Sequence, residues 1–159
     1  MYIFDMSNIY ISTYMNYTTP SKTVFYSIEK AIKTYRKFAQ QKYLEKIEDL
    51  TVDQALILQF LSRTENLSQK ELAELLLKED ASITRMVESL VKKKYLVRKK
   101  DSNDRRKSIL KITVKGLNIL DKLESIIQFN RKKALNGISE KELNKVKTIL
   151  NKIITNCNS

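Results

Sequence analysis

Three helix starts in this sequence carry the same chemical signature, a hydroxyl residue followed three residues later by Glu or Gln. In such a capping box the two side chains satisfy two backbone N–H groups that the first turn of a helix leaves without partners. The three pairs are Thr51 with Gln54, Ser68 with Glu71, and Ser139 with Glu142. Each pair precedes a segment whose apolar residues have helical spacing. The sequence therefore predicts a mainly α-helical protein.

The caps and the helical apolar spacing together divide the chain. They predict helices at 22–46, 51–63, 68–77, 81–93, 117–135 and 139–155. The only proline, Pro20, separates the first helix from an aromatic-rich arm that lacks the basic and apolar regions of a secretory signal. The chain contains no run of 18 apolar residues to cross a bilayer. We expect a cytoplasmic protein that does not enter the membrane.

Two short helices followed by a basic hairpin lie in the middle of the chain. The segment 81–93 places Ile83, Val87 and Leu90 on one face and small polar or basic residues on the other. Taken alone, this pattern fits an ordinary amphipathic helix of a bundle as well as a DNA-reading helix. The strand-like runs 95–100 and 107–113, joined by the turn residues DSNDRR, predict a β-hairpin. A helix-turn-helix followed by such a hairpin has the layout of a winged helix.

Charge and composition restrict the function. The formal net charge is +12, and residues 92–115 contain eleven basic and two acidic side chains. So many like charges predict a polyanionic partner, either nucleic acid or an anionic membrane surface, and composition alone does not choose between the two. The absence of His, the single Cys and the two Gly argue against a nucleophile–base pair, a metal cluster and a glycine-rich phosphate loop. We therefore expect neither an enzyme nor a cofactor.

The residues of this region resemble the MarR family of bacterial transcriptional regulators. The resemblance rests on the following stretches: Leu72-Ala73-Glu74, Ser82-Ile83-Thr84-Arg85, Leu90, Lys93-Lys94-Tyr95-Leu96-Val97-Arg98, Asp101, Asp104-Arg105-Arg106, Ile112-Thr113 and Gly116. The spacing matches over roughly forty-five residues, and residues 135–153 resemble the family's C-terminal dimerisation helix. The Asp-Arg-Arg wing followed by Thr-x-x-Gly is the most specific part.

The resemblance implies a DNA-binding surface made by the second helix and the wing. Its expected residues are Ser82, Thr84, Arg85, Ser89, Lys92, Arg105, Arg106 and Lys107. Arg85 has the chemistry to pair bidentately with guanine, and Arg106 is similar to the family's minor-groove arginine. Asp104 has two interpretations of equal weight, a carboxylate that orients Arg106 or a cap of the turn. Thr84 lies nearer the flank of the helix, so packing against the protein is the alternative to a DNA contact for this residue.

Two positions depart from the family pattern. Lys94 and Leu77 stand where family members often have Gly. Glycine is favoured at helix ends because it adopts the left-handed conformation with little strain. Lys94 therefore either adopts that conformation at a modest cost or ends its helix differently, and Leu77 leaves the angle between the two short helices undetermined.

The remaining predictions concern assembly and regulation. The chain divides into an arm (1–20), an N-terminal dimerisation helix (21–50), a winged helix-turn-helix lobe (51–115) and C-terminal dimerisation helices (116–159). The family makes a symmetric dimer, which implies a pseudopalindromic operator. It also implies a small-molecule pocket, for which the aromatic candidates are Tyr26, Tyr35, Tyr43 and Phe60; such stripes are more often core.

The leading function is a homodimeric, sequence-specific DNA-binding regulator modulated by a small ligand. The alternative is a winged-helix module that contacts proteins and uses its basic wing for nonspecific association with nucleic acid.

Overall fold

The computed structural model describes residues 19–47, 49–100 and 108–159. The described residues divide into two compact units, with the boundary between residues 37 and 38. The described residues form a short 3-10 helix, six α-helices and two β-strands. In chain order these are the 3-10 helix Pro20–Lys22, α1 Val24–Leu44, α2 Val52–Arg63, α3 Gln69–Leu76, α4 Asp80–Lys92, β1 Leu96–Lys100, β2 Ser108–Ile112, α5 Val114–Ala134 and α6 Glu140–Asn158. The predicted mainly α fold with a small β-hairpin is confirmed. The four-part division of the chain stays a prediction.

All three predicted capping boxes are present. Ser68 and Ser139 each accept the N–H of the glutamate three residues on, and that carboxylate accepts the N–H of the serine at 2.8 Å in both cases. In the box of α2, Thr51 Oγ1 accepts the N–H of Gln54, and Gln54 Oε1 accepts the N–H of Thr51, both at 3.2 Å. Reciprocal bonding of this kind fixes the first residues of α2, α3 and α6.

A single apolar core holds the second unit together. Its fully buried side chains come from α2, α3, α4, the hairpin and α5, and include Leu58, Leu72, Ile83, Leu90, Leu96 and Leu123. Burial of side chains of this size contributes about 1.5–3 kcal/mol each. The core therefore joins the helix-turn-helix, the hairpin and α5 into one body.

The hairpin pairs β1 and β2 antiparallel, with Leu96 opposite Ile112 and Arg98 opposite Leu110. Alternate residues of a strand point to opposite faces. Cross-strand partners share a face, so Leu96, Arg98, Leu110 and Ile112 lie on one side of the hairpin. Leu96 and Leu110 are buried on this side, which packs on the core, whereas the side chain of Arg98 is exposed. The tip of the hairpin, 101–107, lies outside the described residues.

Both predicted departures from glycine take the left-handed conformation. Leu77 ends α3 with φ 53° and ψ 50°, and Lys94 follows α4 with φ 62°. The N–H of Leu77 still donates to the carbonyl oxygens of Ala73 and Glu74, as the end of a helix requires. A non-glycine residue in this region is strained by about 1–2 kcal/mol. The fold thus keeps two turns that glycine would form at lower cost.

Helix α5 starts three residues earlier than its predicted first residue, 117. Thr113, which the sequence places at the end of a strand, caps the helix because its Oγ1 accepts the N–H of Gly116 at 3.1 Å. The third residue of this helix is Gly116 rather than Glu or Gln, so Thr113 carries no capping-box signature. The other predicted helix ends lie within three residues of those observed.

Candidate nucleic-acid interface

Helix α4 separates an apolar from a polar face, as the sequence predicts. Ile83, Val87 and Leu90 have no exposed surface, whereas Arg85 and Lys92 are exposed. Arg85 and Lys92 are seven residues apart, or about two helical turns, so they lie on the same side of the helix. The apolar face anchors α4 on the core and leaves two cations facing solvent.

The hydroxyl residues of α4 are less exposed than these cations. Ser82, Thr84 and Ser89 are half-buried. The hydroxyl of Thr84 donates to the carbonyl oxygen of Asp80 at 2.9 Å, a bond within the first turn of the helix. The hydroxyl proton of Thr84 is thereby engaged by the backbone, and the role of Thr84 in DNA binding stays a prediction.

Ser89 is bonded to the interior of the domain. Its Oγ accepts a hydrogen bond from Nε2 of Gln54 at 3.0 Å, and Gln54 is only 5% exposed. The sequence predicts Ser89 on the outward face, because helical periodicity contains no information about a partner 35 positions away. It identifies Gln54 only as the capping residue of α2.

The end of α4 is held by contacts that the sequence did not suggest. Nζ of Lys93 donates to the carbonyl oxygen of Asp49 and lies 3.4 Å from Oε1 of Gln54. Nζ of Lys115 donates to the carbonyl oxygen of Lys93 at 2.9 Å and lies 4.7 Å from the centre of the Tyr95 ring. These two lysines of the basic stretch therefore bind the protein's own backbone.

Thr113 joins the same end of α4 to α5. Its Oγ1 donates to the carbonyl oxygen of Lys94 at 2.6 Å, and its N–H donates to that of Tyr95 at 3.1 Å. A single threonine thus caps α5 and ties it to the residues that follow α4. The threonine was part of the Thr-x-x-Gly pattern, but its distant partners were not visible in the sequence.

Other basic residues of the hairpin differ in their partners. Arg98 and Lys99 are exposed, and Nζ of Lys111 lies 3.3 Å from Oδ1 of Asn66. The four predicted wing-tip residues Asp104, Arg105, Arg106 and Lys107 lie outside the described residues. Their roles stay predictions.

Acidic side chains near the helix-turn-helix have two different settings. Nζ of Lys78, in the turn before α4, lies 3.5 Å from Oδ2 of Asp53, which ties that turn to the first turn of α2. Glu88 is exposed on α4, and within the described part of the chain it forms no ion pair with Arg85 or Lys92. The carboxylate of Glu88 therefore reduces the positive charge of this face.

The four aromatic candidates for a ligand pocket have different surroundings. Tyr43 is 5% exposed in the core, and Phe60 is partly buried against it. In the first unit, Tyr35 is half-buried, and Tyr26 borders a shallow depression of about 250 Å³ together with Glu29, Lys30, Lys33 and Thr34. The predicted pocket stays a prediction, and Tyr43 has the environment of a core residue.

Two features are absent from the described residues. These residues contain no group of three or more Cys, Asp or Glu side chains placed to hold a metal ion. Among them there is also no helix long and apolar enough to cross a membrane.

The order of short helix, turn, second helix with exposed Arg85 and Lys92, and antiparallel hairpin defines a winged helix-turn-helix. Residues 48–107 match the family model described as MarR family. This match confirms the predicted resemblance to the MarR family over the winged helix.

Similarity to individual proteins extends over more of the chain. A 94-residue segment is 28% identical to the HTH-type transcriptional regulator BilQ of Clostridium symbiosum; it covers 59% of this chain and 65% of BilQ. Among solved structures, the S. aureus MepR–DNA complex has a TM-score of 0.77 at 23% identity, covering 87% of this chain and 99% of MepR. Bordetella bronchiseptica BpsR, described with regulation of its DNA binding by 6-hydroxynicotinic acid, has a TM-score of 0.75 at 20% identity, covering 84% of this chain and 94% of BpsR. These two likenesses show the fold.

Proposed function

We propose that the protein is a homodimeric, sequence-specific DNA-binding transcriptional regulator whose affinity for DNA is modulated by a small molecule. The observation that carries the proposal is the division of α4, where three side chains without exposed surface anchor the helix and Arg85 and Lys92 face outward. The proposed role is non-enzymatic, and the proposed location is the cytoplasm, where the protein would bind DNA.

Helix α4 is assigned to the major groove. A guanidinium matches the two acceptors of guanine, so Arg85 is the proposed base reader. Ser82 and Lys92 are assigned to phosphates, which fix the register of the helix on the duplex. Arg105, Arg106 and Lys107 of the wing are assigned to the backbone and the minor groove, with Asp104 orienting Arg106 or capping the turn.

The exposed apolar face of α6 supports the homodimer. None of residues 140–158 is buried, and the apolar side chains of Val146, Ile149 and Ile154 are each about half exposed to solvent. A helix in a protein obtains most of its stability from packing of its apolar face. A 19-residue helix without buried residues therefore supports the proposal that a second copy of the chain covers this face. A two-fold dimer would present two copies of α4 to successive half-sites about 34 Å apart.

The small-molecule part of the proposal rests on similarity. BpsR has the same fold, and its DNA binding is described as regulated by 6-hydroxynicotinic acid. The proposed effector of this chain is likewise a small organic molecule, which changes affinity only if it binds the DNA-competent and incompetent states differently.

Selection of bound duplexes from a random DNA pool tests the DNA-binding proposal. We expect enrichment of a pseudopalindrome whose half-site centres are 10 to 11 base pairs apart, as two copies of α4 one turn apart require. Titrations of the enriched duplex and a scrambled version at several salt concentrations then give the specificity ratio. Steeply salt-dependent binding without base preference would contradict this proposal and support the protein-interaction module instead.

A further inference from the structure

The amide of Gln54 joins three parts of the winged helix. Its Oε1 accepts the N–H of Thr51 at 3.2 Å and lies 3.4 Å from Nζ of Lys93, while its Nε2 donates to Oγ of Ser89 at 3.0 Å. The side chain is 5% exposed. One buried amide therefore connects the start of α2 with the middle and the end of α4.

This role distinguishes the first capping box from the other two. Glu71 and Glu142 occupy the equivalent positions in their boxes, and both are exposed. Among the described residues, the serine of its own box is the one hydrogen-bond partner of each carboxylate. A carboxylate only accepts hydrogen bonds, whereas an amide both accepts and donates. Glutamine can therefore cap α2 through its oxygen and hold Ser89 through its nitrogen.

The bond between Gln54 and Ser89 restrains rotation of α4 about its own axis, which apolar packing alone resists weakly. The contacts of Ile83, Val87 and Leu90 hold α4 against the core, but hydrophobic attraction has no direction. A hydrogen bond, in contrast, weakens steeply away from its preferred geometry. The Gln54–Ser89 bond therefore opposes rotation of α4 about its own axis.

Rotation of α4 would move Arg85 directly. Ser89 follows Arg85 by four residues, so the two lie on the same side of the helix, one turn apart. A rotation of about 20° displaces a side-chain tip about 6 Å from the axis by about 2 Å. Bidentate contact with a base does not survive such a displacement, because N–H···O distances span only about half an ångström.

We propose that Gln54 is a positioning residue for base reading, which sets the rotation of α4 through Ser89 without touching DNA. The proposal rests on the proposed DNA-binding function and identifies a determinant of its specificity. It gives Ser89 a second role, since Ser89 is also a predicted DNA contact.

The test measures the specificity ratio, the dissociation constant on the scrambled duplex divided by that on the selected duplex. Gln54→Met keeps the side-chain length but removes the hydrogen bonds of Gln54 to Thr51, Lys93 and Ser89, whereas Ser89→Ala removes only the bond between Gln54 and Ser89. We expect each to lower the ratio by about fivefold, the equivalent of one hydrogen bond, with little change on scrambled DNA. Gln54→Glu should keep the ratio, because the carboxylate still caps α2 and accepts from the Ser89 hydroxyl.

Two controls separate positioning from stability and from direct contact. Glu142→Met removes an equivalent capping bond far from α4 along the chain and should leave the ratio unchanged. The specificity ratio of the double variant of Gln54→Met and Ser89→Ala should fall no further than that of the more affected single variant, because both substitutions break the same Gln54–Ser89 bond. Additive losses would overturn the proposal, since Ser89 would then act on DNA independently of Gln54.

The remaining outcomes are also decisive. An unchanged ratio in Gln54→Met, with circular dichroism showing a folded protein, would overturn the positioning role and leave the proposed function intact. If Gln54→Met does not fold, Ser89→Ala decides, and an unchanged ratio there overturns the proposal. Absence of any sequence preference in the unmodified protein would overturn the proposed function and this inference together.

Discussion

A Cβ atom added to Gly116 would lie 2.4 Å from the carbonyl oxygen of Tyr95. It would also lie 2.6 Å from a methyl carbon of Ile112. The backbone of α5 passes this close because Thr113 caps the helix and donates to the carbonyl oxygens of Lys94 and Tyr95. The glycine of the Thr-x-x-Gly pattern is therefore required by a close approach between the first turn of α5 and the residue before β1.

Gly116→Ala should lower the free energy of unfolding by about 1–3 kcal/mol, because the added methyl group displaces backbone atoms in a packed region. Urea denaturation measures the loss. Gly137→Ala is the matched control: its Cβ would meet nothing within 4 Å, but its φ of 79° makes any side chain strained. We expect a loss of about 1 kcal/mol there. An equal or smaller loss for Gly116→Ala would contradict the close-approach argument.

The left-handed conformation of Leu77 predicts that a substitution there raises the free energy of unfolding, whereas Gly116→Ala lowers it. Leu77 is 90% exposed, so its replacement removes almost no buried surface. Leu77→Gly should raise the free energy of unfolding by about 0.5 kcal/mol, since relief of strain exceeds the added entropy of the unfolded chain. Leu75→Gly, two residues earlier within α3, should instead lower it by about 1 kcal/mol. A loss of stability in Leu77→Gly would show that the side chain has a role its exposure does not reveal.

These backbone features show which parts of the fold can be predicted from the sequence. The capping boxes and the helix spans were predictable because their determinants lie within a few residues of one another. The family pattern also pointed to Leu77 and Lys94, although it left their conformations open. The need for glycine at 116 depends on Tyr95, 21 positions away, and no local rule contains that contact.

The capping boxes predict different responses to acid. Hydrogen bonds from the hydroxyl and the N–H of Ser139 lower the pKa of Glu142 below its ordinary value of 4.5, and Ser68 does the same to the pKa of Glu71. A lowered pKa in the folded state means that these caps stabilise the protein above pH 4.5 and lose this effect as the pH falls through the folded-state pKa. The cap of α2 uses an amide and does not titrate.

NMR titration of three amide protons between pH 6 and about 2.5 checks this difference. The N–H resonances of Ser68 and Ser139, which donate to carboxylates, should shift with midpoints below 4.5. The N–H of Thr51 should show no comparable step while the fold persists. Glu142→Gln should abolish the step at Ser139 and leave that at Ser68. A midpoint at or above 4.5 for Ser139 would refute the bond to Glu142.

The proposed dimer is tested by a charge on α6. Leu143, Val146, Leu150 and Ile153 follow one another at intervals of three and four residues, so they form an apolar stripe along α6. Leu150 is half-buried even in the single chain. Leu150→Glu should produce a monomer in sedimentation, because an unpaired carboxylate is costly to bury in an interface. Lys145→Glu lies off the stripe and should leave the dimer intact. A folded monomer for the unmodified protein at micromolar concentration would contradict the two-half-site model.

For the candidate site, the sequence predicted the exposed residues better than the bonded ones. Arg85 and Lys92 are exposed as helical periodicity indicates, because periodicity reports which side of a helix faces the core. Ser89 differs because a small hydroxyl on the boundary of that face bonds whichever partner the fold brings close. Gln54, Lys93 and Lys115 act through partners on other elements, which become visible only when the chain is folded.

The last prediction separates Arg85 from Arg106, which are assigned to different grooves. Arg85→Ala should weaken binding to the selected duplex by about 1–3 kcal/mol and relax preference at one position of each half-site, with little effect on scrambled DNA. Arg106→Ala, at a wing position known only from the sequence, should weaken binding to both duplexes. Arg106→Ala should also reduce the steepness of the plot of log K against log salt concentration, by about one unit of slope for each lost phosphate contact.

Any sequence dependence of Arg106→Ala should concern A·T content beside the half-sites, where a narrow minor groove concentrates negative potential. Titration of both variants on selected and scrambled duplexes at several salt concentrations provides the comparison. Lys145→Glu serves as the control, because it changes the charge outside the winged helix and should not alter base preference. Identical profiles for the two arginine variants would refute the division of labour between a reading helix and an anchoring wing, since a base contact and a phosphate contact differ in both sequence and salt dependence.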